Sequence, residues 1–225
     1  MGTLHLVRHG QASFGSADYD RLSALGAQQC RRLGEHLRAR GLVPQAVYTG
    51  TLRRHAQSLA ALAEGFDGAL PATRVRPGLD EYDAHAVVHA LYPEPPPAPD
   101  DAAAAYRHHF RLLREGLLAW MAGRSVPQGM PSHAEFVAGV GALLDHVRTQ
   151  HDGDVLVVSS GGPIATAVGI VLGLTPAAVV ELNLRLRNSA VSEFVFTPKR
   201  HSLQSFNGIA HLEQGGVPAD WITWS

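Results

Sequence analysis

The chain has one cysteine, Cys30, in 225 residues. A single thiol excludes an internal disulfide framework and any cysteine-based zinc site. Lysine is equally scarce: Lys199 is the only one, and arginine supplies the rest of the positive charge. The 19 basic residues meet 20 acidic ones, for a net charge of −1. Without a basic surplus the chain is not expected to bind nucleic acid generally. Charged residues make up only 17%, hydrophobic residues 45%, and mean hydropathy is −0.03. Those values exclude disorder and fit a globular domain long enough to bury its own core. Long apolar runs are also missing. The longest uncharged stretch, Val155 to Val180, is broken at Ser159-Ser160-Gly161-Gly162-Pro163 and again at Thr175-Pro176. It reads as a buried strand, a tight turn and a helix, so no membrane partner is expected. The opening residues lack a basic segment followed by an apolar run, which gives no targeting signal and a cytoplasmic expectation.

What the chain does have is arginine, glycine and 13 histidines. It also has a regular alternation of short apolar runs with amphipathic stretches. Thr3 to Arg8 fits a buried strand. Ser23 to Arg40 reads as a helix, with Leu25, Cys30, Leu33 and Leu37 as its stripe, Ser23 as N-cap and Gly41 just past its end. Ala46 to Thr49 is a second strand, Leu52 to Ala63 a second helix, and Arg74 to Arg76 a brief third strand. Ser132-His133-Ala134-Glu135 is a capping box for a helix reaching about Arg148. Asp154 to Ser159 is Val- and Leu-rich, as a central parallel strand should be. Val191 to Phe196 and Leu203 to Asn207 read as an antiparallel pair at the sheet edge. The predicted fold is a three-layer α/β/α sandwich with a mainly parallel central sheet and an antiparallel edge. Residues 1–225 read as one domain. Within it, residues 80–130 form a helical insertion or lid, marked by the proline-rich stretch from Tyr92 to Asp100 and an Ala-rich helix from about Asp101 to Met121.

In such sheets ligands bind beyond the carboxyl ends of the strands. Three strand ends here carry chemistry. The first ends in Arg8-His9-Gly10, the second leads into Leu52-Arg53-Arg54-His55-Ala56-Gln57-Ser58, and the fourth ends in Ser159-Ser160-Gly161-Gly162. An imidazole, guanidinium forks, hydroxyls and backbone N–H groups at a helix start together suit an anion, above all a phosphate. A neutral histidine can attack phosphorus, arginines can neutralise the equatorial oxygens, and a carboxylic acid is needed for the leaving oxygen. Glu81, after the third strand, is the first candidate for that acid, with Asp80 and Asp83 as alternatives.

The ordered set of motifs resembles the histidine phosphatase, or phosphoglycerate mutase-like, superfamily. The carriers are Leu6-Val7-Arg8-His9-Gly10, Leu22 to Gly26 with Gln29, Leu52 to Ser58, Leu79-Asp80-Glu81, Val155 to Gly162 and Phe206 to Leu212. The resemblance implies a phosphatase acting on phosphomonoesters of small molecules or of a phosphoprotein. His9 would be the nucleophile, Arg8 and Arg54 the phosphoryl clamp and Glu81 the proton donor. Arg54 fits the family spacing, and Arg53 would point elsewhere. Gln11, Ser160 and Gly161 would add phosphate contacts. No cofactor or metal is implied.

Three departures stand out. The superfamily normally places a second histidine after the fourth strand, and Ser160 stands there instead. Serine keeps a donor but loses the charge, and removing one donor from a preorganised site costs on the order of 10²–10³ in rate. The N–H groups of Gly161 and Gly162, or a histidine from elsewhere, are the two candidate compensations. Gly15 stands near where an asparagine is common, and Asp83 to His89 replaces the usual substrate-side pattern. The alternatives to a phosphatase are therefore a weak or inactive relative that binds a phosphorylated ligand and, less favoured, a mutase.

The remaining histidines have plainer readings. His85 and His89 have metal-ligand spacing but lack a Glu beside the first, so a solvated or lid-packing pair is expected. His5 reads as packing, His108 and His109 as surface, and His211 as a structural hydrogen bond. Leu112, Leu113, Leu117, Leu118 and Trp120 give the insertion helix an apolar face for core packing or for a homodimer. The apolar tail from Trp221 to Trp224 is expected to tuck against a neighbouring element.

Overall fold

The computed structural model describes residues 1–13, 20–68, 70–213 and 216–224. Six strands form one sheet: β1 Gly2–Arg8, β2 Ala46–Thr49, β3 Thr73–Val75, β4 Val155–Ser159, β5 Val191–Thr197 and β6 Arg200–Gly208. Their order is β3-β2-β4-β1-β5-β6. The first four neighbours in that order run parallel, β5 is antiparallel to β1, and β6 is antiparallel to β5.

Every residue of β2 and β4 is buried, without polar alternation, because helices cover both faces of the sheet. Successive side chains of each strand enter different cores. Leu4, Leu6, Tyr48, Val155 and Val157 meet Val140, Leu143, Leu144 and Val147 of α5 (His133–Gln150) and Ile164 and Val168 of α6 (Gly161–Leu172). Val7, Val47, Leu156 and Val158 meet Cys30, Leu33 and Leu37 of α1 (Ala24–Ala39) and Leu59, Leu62 and Phe66 of α2 (Arg53–Phe66) on the other face. Leu156 is fully buried, so its truncation to alanine is worth about 2–5 kcal/mol of stability.

The caps follow the sequence. Ser23 accepts from Gly26 N–H at 3.0 Å, and Ser132 with Glu135 forms a complete capping box. The expected antiparallel edge is present, with β6 longer than predicted. Residues 80–130 hold more helix than the sequence reading allowed. A 3₁₀ turn at Pro77–Leu79 is followed by α3 (Ala84–Leu91), capped by Asp83, and α4 (Ala102–Met121), capped by Asp101. The helix α7 (Pro176–Arg185) starts where Thr175-Pro176 had signalled only a break. Leu112, Leu113, Leu117 and Trp120 of α4 pack with Val87, Val88, Phe136 and Val180, so the apolar face of α4 lies in a core. No described helix is long and apolar enough to cross a membrane.

Candidate active site

The parallel order β2-β4-β1 sets three strand ends side by side, with Arg8 paired to Ser159 and Thr49 to Val158 in register. The sequence-predicted groups therefore converge. His9 is 3% exposed and follows β1. Its backbone N–H donates to the Ser159 carbonyl at 2.8 Å, and its own carbonyl accepts from Ser189 N–H at 3.1 Å and Asn188 Nδ2 at 3.3 Å. Its Nδ1 lies 2.7 Å from the Gly10 carbonyl, which as an acceptor requires the proton on Nδ1. Nε2 is left with its lone pair, and Arg54 Nε donates toward it at 3.3 Å.

Burial, then the charges of Arg8 and Arg54 and the neighbouring His55, hold the His9 imidazole well below its usual pKa. It is neutral near pH 7, as an attacking nitrogen must be. Arg54 is buried and Arg53 exposed, so the first turn of α2 turns the second of the two arginines inward. Asp20 steadies Arg54 through an ion pair at 2.8 Å. Arg8 Nη1 donates to the carbonyls of Leu186 and, at 3.0 Å, of Trp224.

Glu81 reaches the start of α6. Gly162 N–H lies 3.1 Å from each of its carboxylate oxygens, and Tyr82 N–H donates to one of them at 3.3 Å. The loop is fixed one residue pair earlier, where Ser159 Oγ donates to the Leu79 carbonyl at 2.7 Å. Burial raises the Glu81 pKa above that of an ordinary carboxyl, against the opposing pull of Gly162 N–H, Arg54 and Arg8. The two arginines thus bear on both His9 and Glu81. A side chain at position 162 would collide with this arrangement, since its Cβ would stand 2.1 Å from Glu81 Oε1. The Gly162 N–H, a candidate anion donor from sequence, is given to Glu81 instead. Gly161 opens α6, where a Cβ would stand 2.6 Å from Asn183 Oδ1.

Ser160 is fully buried, and its Oγ lies 2.6 Å from His55 Nε2. His55 belongs to a motif that the sequence displays, yet its imidazole carried no role there. Its ring is 5.8 Å from that of His9. Burial and Arg54 push its pKa down to about 3. Asp20, which holds Arg54, and Asp80, which accepts from Thr51 N–H at 2.6 Å, were likewise not singled out for these contacts. Gln11 follows His9-Gly10, with its carboxamide oxygen taken by the Ser23 hydroxyl at 3.0 Å. Any phosphate contact from it would come through its amide N–H groups. Gly15 lies outside the described residues.

The other histidines lie apart from this cluster. His211 Nε2 pairs with Ser189 Oγ at 2.8 Å, His85 and His89 are exposed, and His5 is buried between Glu193 and Asp154. The tail does tuck in: Gln29 Nε2 donates to the Trp221 carbonyl at 2.7 Å and Thr223 Oγ1 donates to Asn188 Oδ1 at 2.8 Å.

A buried neutral imidazole and a carboxyl of raised pKa, both under the charges of Arg8 and Arg54, are groups suited to phosphoryl transfer. The model of the histidine phosphatase superfamily, branch 1, matches residues 4–208, and the chain belongs to that superfamily. No curated protein sequence matches it. Among solved structures, a mycobacterial glucosyl-3-phosphoglycerate phosphatase is similar at 23% identity, over 92% of this chain and 99% of its own, with a TM-score of 0.62. Phosphoserine phosphatase from Entamoeba histolytica, in complex with 3-phosphoglyceric acid, is similar at 20% identity, over 94% and 100%, with a TM-score of 0.66. Phosphoglycerate mutase from Bacillus anthracis shows 17% identity over 93% and 94%, with a TM-score of 0.64.

Proposed function

We propose that the chain hydrolyses phosphomonoesters through a phosphohistidine on His9. The observation that carries this reading is the His9 tautomer: the Gly10 carbonyl holds the proton at Nδ1 and leaves the Nε2 lone pair beside Arg54. In the first step Nε2 attacks phosphorus and the ester P–O bond breaks. The Glu81 carboxyl gives its proton to the leaving oxygen. Arg8 and Arg54 neutralise the equatorial oxygens as charge develops, with Ser160 Oγ, the Gly161 N–H and the Gln11 amide as further donors. In the second step the Glu81 carboxylate takes a proton from water, whose oxygen attacks phosphorus. The P–N bond breaks, phosphate leaves, and His9 is again neutral with Glu81 protonated. Substrate, water, His9 and Glu81 supply every atom and proton of the cycle.

The substrate class is a phosphorylated small molecule. The related phosphatases named above take glucosyl-3-phosphoglycerate and phosphoserine, and the Tyr82 face of the insertion supports a substrate-binding wall here. Tyr82 Oη accepts from Asn183 Nδ2 at 2.7 Å, and its ring packs 6.0 Å from that of Trp120. We read residues 80–130 as the lid that carries this wall over one domain. Brief reaction with p-nitrophenyl phosphate followed by a denaturing quench tests the chemistry. The expected product is phosphate bound to the protein, stable in alkali and lost in acid, and absent from His9→Ala. Unchanged turnover in His9→Ala would overturn the mechanism. The uncharged Ser160 favours a second reading, in which the site binds a phosphorylated ligand without turnover; robust hydrolysis by the unaltered protein would exclude it.

A further inference from the structure

Ser160 and His55 come from different elements, the end of β4 and the first turn of α2, and both are fully buried. A 2.6 Å hydrogen bond joins the Ser160 hydroxyl to His55 Nε2, while the buried His55 Nδ1 has no hydrogen-bond partner among the described residues. Nδ1 faces Asp80 Oδ1 at 3.8 Å, across a space that exists because residue 50 is glycine. A Cβ there would stand 2.3 Å from Asp80 Oδ1 and 2.5 Å from His55 Nδ1. The charged and titratable groups around His55 are Arg54 on its own helix, Asp20 before α1, His9 after β1 and Asp80 after the 3₁₀ turn. A carboxylate facing Nδ1 favours the proton there. In the resting site Nε2 then accepts from the Ser160 hydroxyl, which has no hydrogen left for a ligand.

We propose that His55 is the positioning residue for Ser160, and that a phosphoryl group bound at His9 draws a proton onto His55 so that the Ser160 hydroxyl turns to that group. The proton comes from solvent and adds to Nε2. Nε2–H then donates to Ser160 Oγ, Nδ1–H faces Asp80, and the Ser160 O–H donates to a phosphoryl oxygen. When phosphate leaves, the proton returns to solvent. The low basicity of resting His55 fits this cycle, because burial and Arg54 keep the imidazole neutral until a dianion enters. The positive charge that a histidine at position 160 would bring directly is thereby brought from behind a serine. The inference rests on the phosphoryl group being bound at His9.

Its test is calorimetric binding of inorganic phosphate, in buffers of different ionisation enthalpy, by the unaltered protein, His55→Gln, His55→Ala, Ser160→Ala and the double variant His55→Gln/Ser160→Ala. Thermal unfolding of each confirms its fold, and glutamine keeps an N–H near the position of Nε2. Phosphate affinity is expected to fall about 10–100-fold in His55→Ala and Ser160→Ala, the loss of one hydrogen bond to a charged group. The double variant should be no weaker than its weaker parent, because the pair acts as one arm. His55→Gln should bind more tightly than His55→Ala and take up less proton than the unaltered protein; that difference cancels the titration of phosphate itself. Equal proton uptake in His55→Gln, losses that multiply, or unchanged affinity in the single variants would overturn the proposal while leaving the His9 mechanism standing. Absence of phosphate binding by the unaltered protein, together with no acid-labile phosphate on it, would overturn both.

Discussion

The Glu81 carboxylate straddles the backbone N–H of Gly162, 3.1 Å from each oxygen. One amide thus holds the group assigned to proton transfer, and the glycine is what lets it approach. Gly162→Ala puts a Cβ 2.1 Å from Glu81 Oε1, so the carboxyl must move. Turnover of an alkyl phosphate is expected to fall about 10²-fold or more, within the range that general acid catalysis supplies. Steady-state kinetics beside a circular dichroism spectrum checks this: the spectrum should be unchanged.

Glu81→Gln separates proton donation from phosphoryl binding. An alkyl leaving oxygen needs the proton and an aryl one needs it far less. The variant is expected to lose about 10²–10⁴-fold in kcat/KM, which reports only the phosphoenzyme-forming step, on an alkyl phosphate and much less on p-nitrophenyl phosphate. Equal losses on both would assign Glu81 a binding role instead.

The pH dependence follows from the two shifted groups. His9 is held well below the usual imidazole pKa, so the active neutral form persists on the acid side of 6.5. Glu81 is raised above the usual carboxyl, so its proton remains available above 4.5. The kcat/KM profile should rise at a pH well below 6.5 and fall through the raised Glu81 pKa. In Glu81→Gln the residual activity should lack the falling limb.

Stability carries a separate signature. His55 and His211 each have a folded-state pKa of about 3, against 6.5 for an unfolded imidazole. Between those values the unfolded chain binds more protons, so stability is lost as pH falls below 6.5. The expected slope is about 1.4 kcal/mol per pH unit for each residue. Urea unfolding at pH 7 and pH 5 measures it, and His211→Gln should flatten the slope by one residue's share.

Much of this architecture can be read from residue order alone. Val155 to Ser159 announces a doubly covered strand, and Ser23, Asp101 and Ser132 announce helix starts, because those signals are local. The choice of Arg54 over Arg53 also agrees with which of them is buried beside His9. What escaped was carried by partners distant in sequence. His55 gains meaning only from Ser160, 105 positions away, and Asp20 only from Arg54, 34 positions away. The Gly162 amide looked like an anion donor until the fold delivered Glu81 to it. The start of α7 reads as a break because Pro176 suits a loop and a first helical turn equally, and α3 is only 8 residues long, too short for a clear helical period.

The guanidinium of Arg8 donates to the carbonyl of Trp224, 216 positions later. Contacts of such separation close late, since the loop between them has to be ordered first. The segment that carries Trp224 is thus expected to dock late, adding a second acceptor to an Arg8 guanidinium that the Leu186 carbonyl also holds.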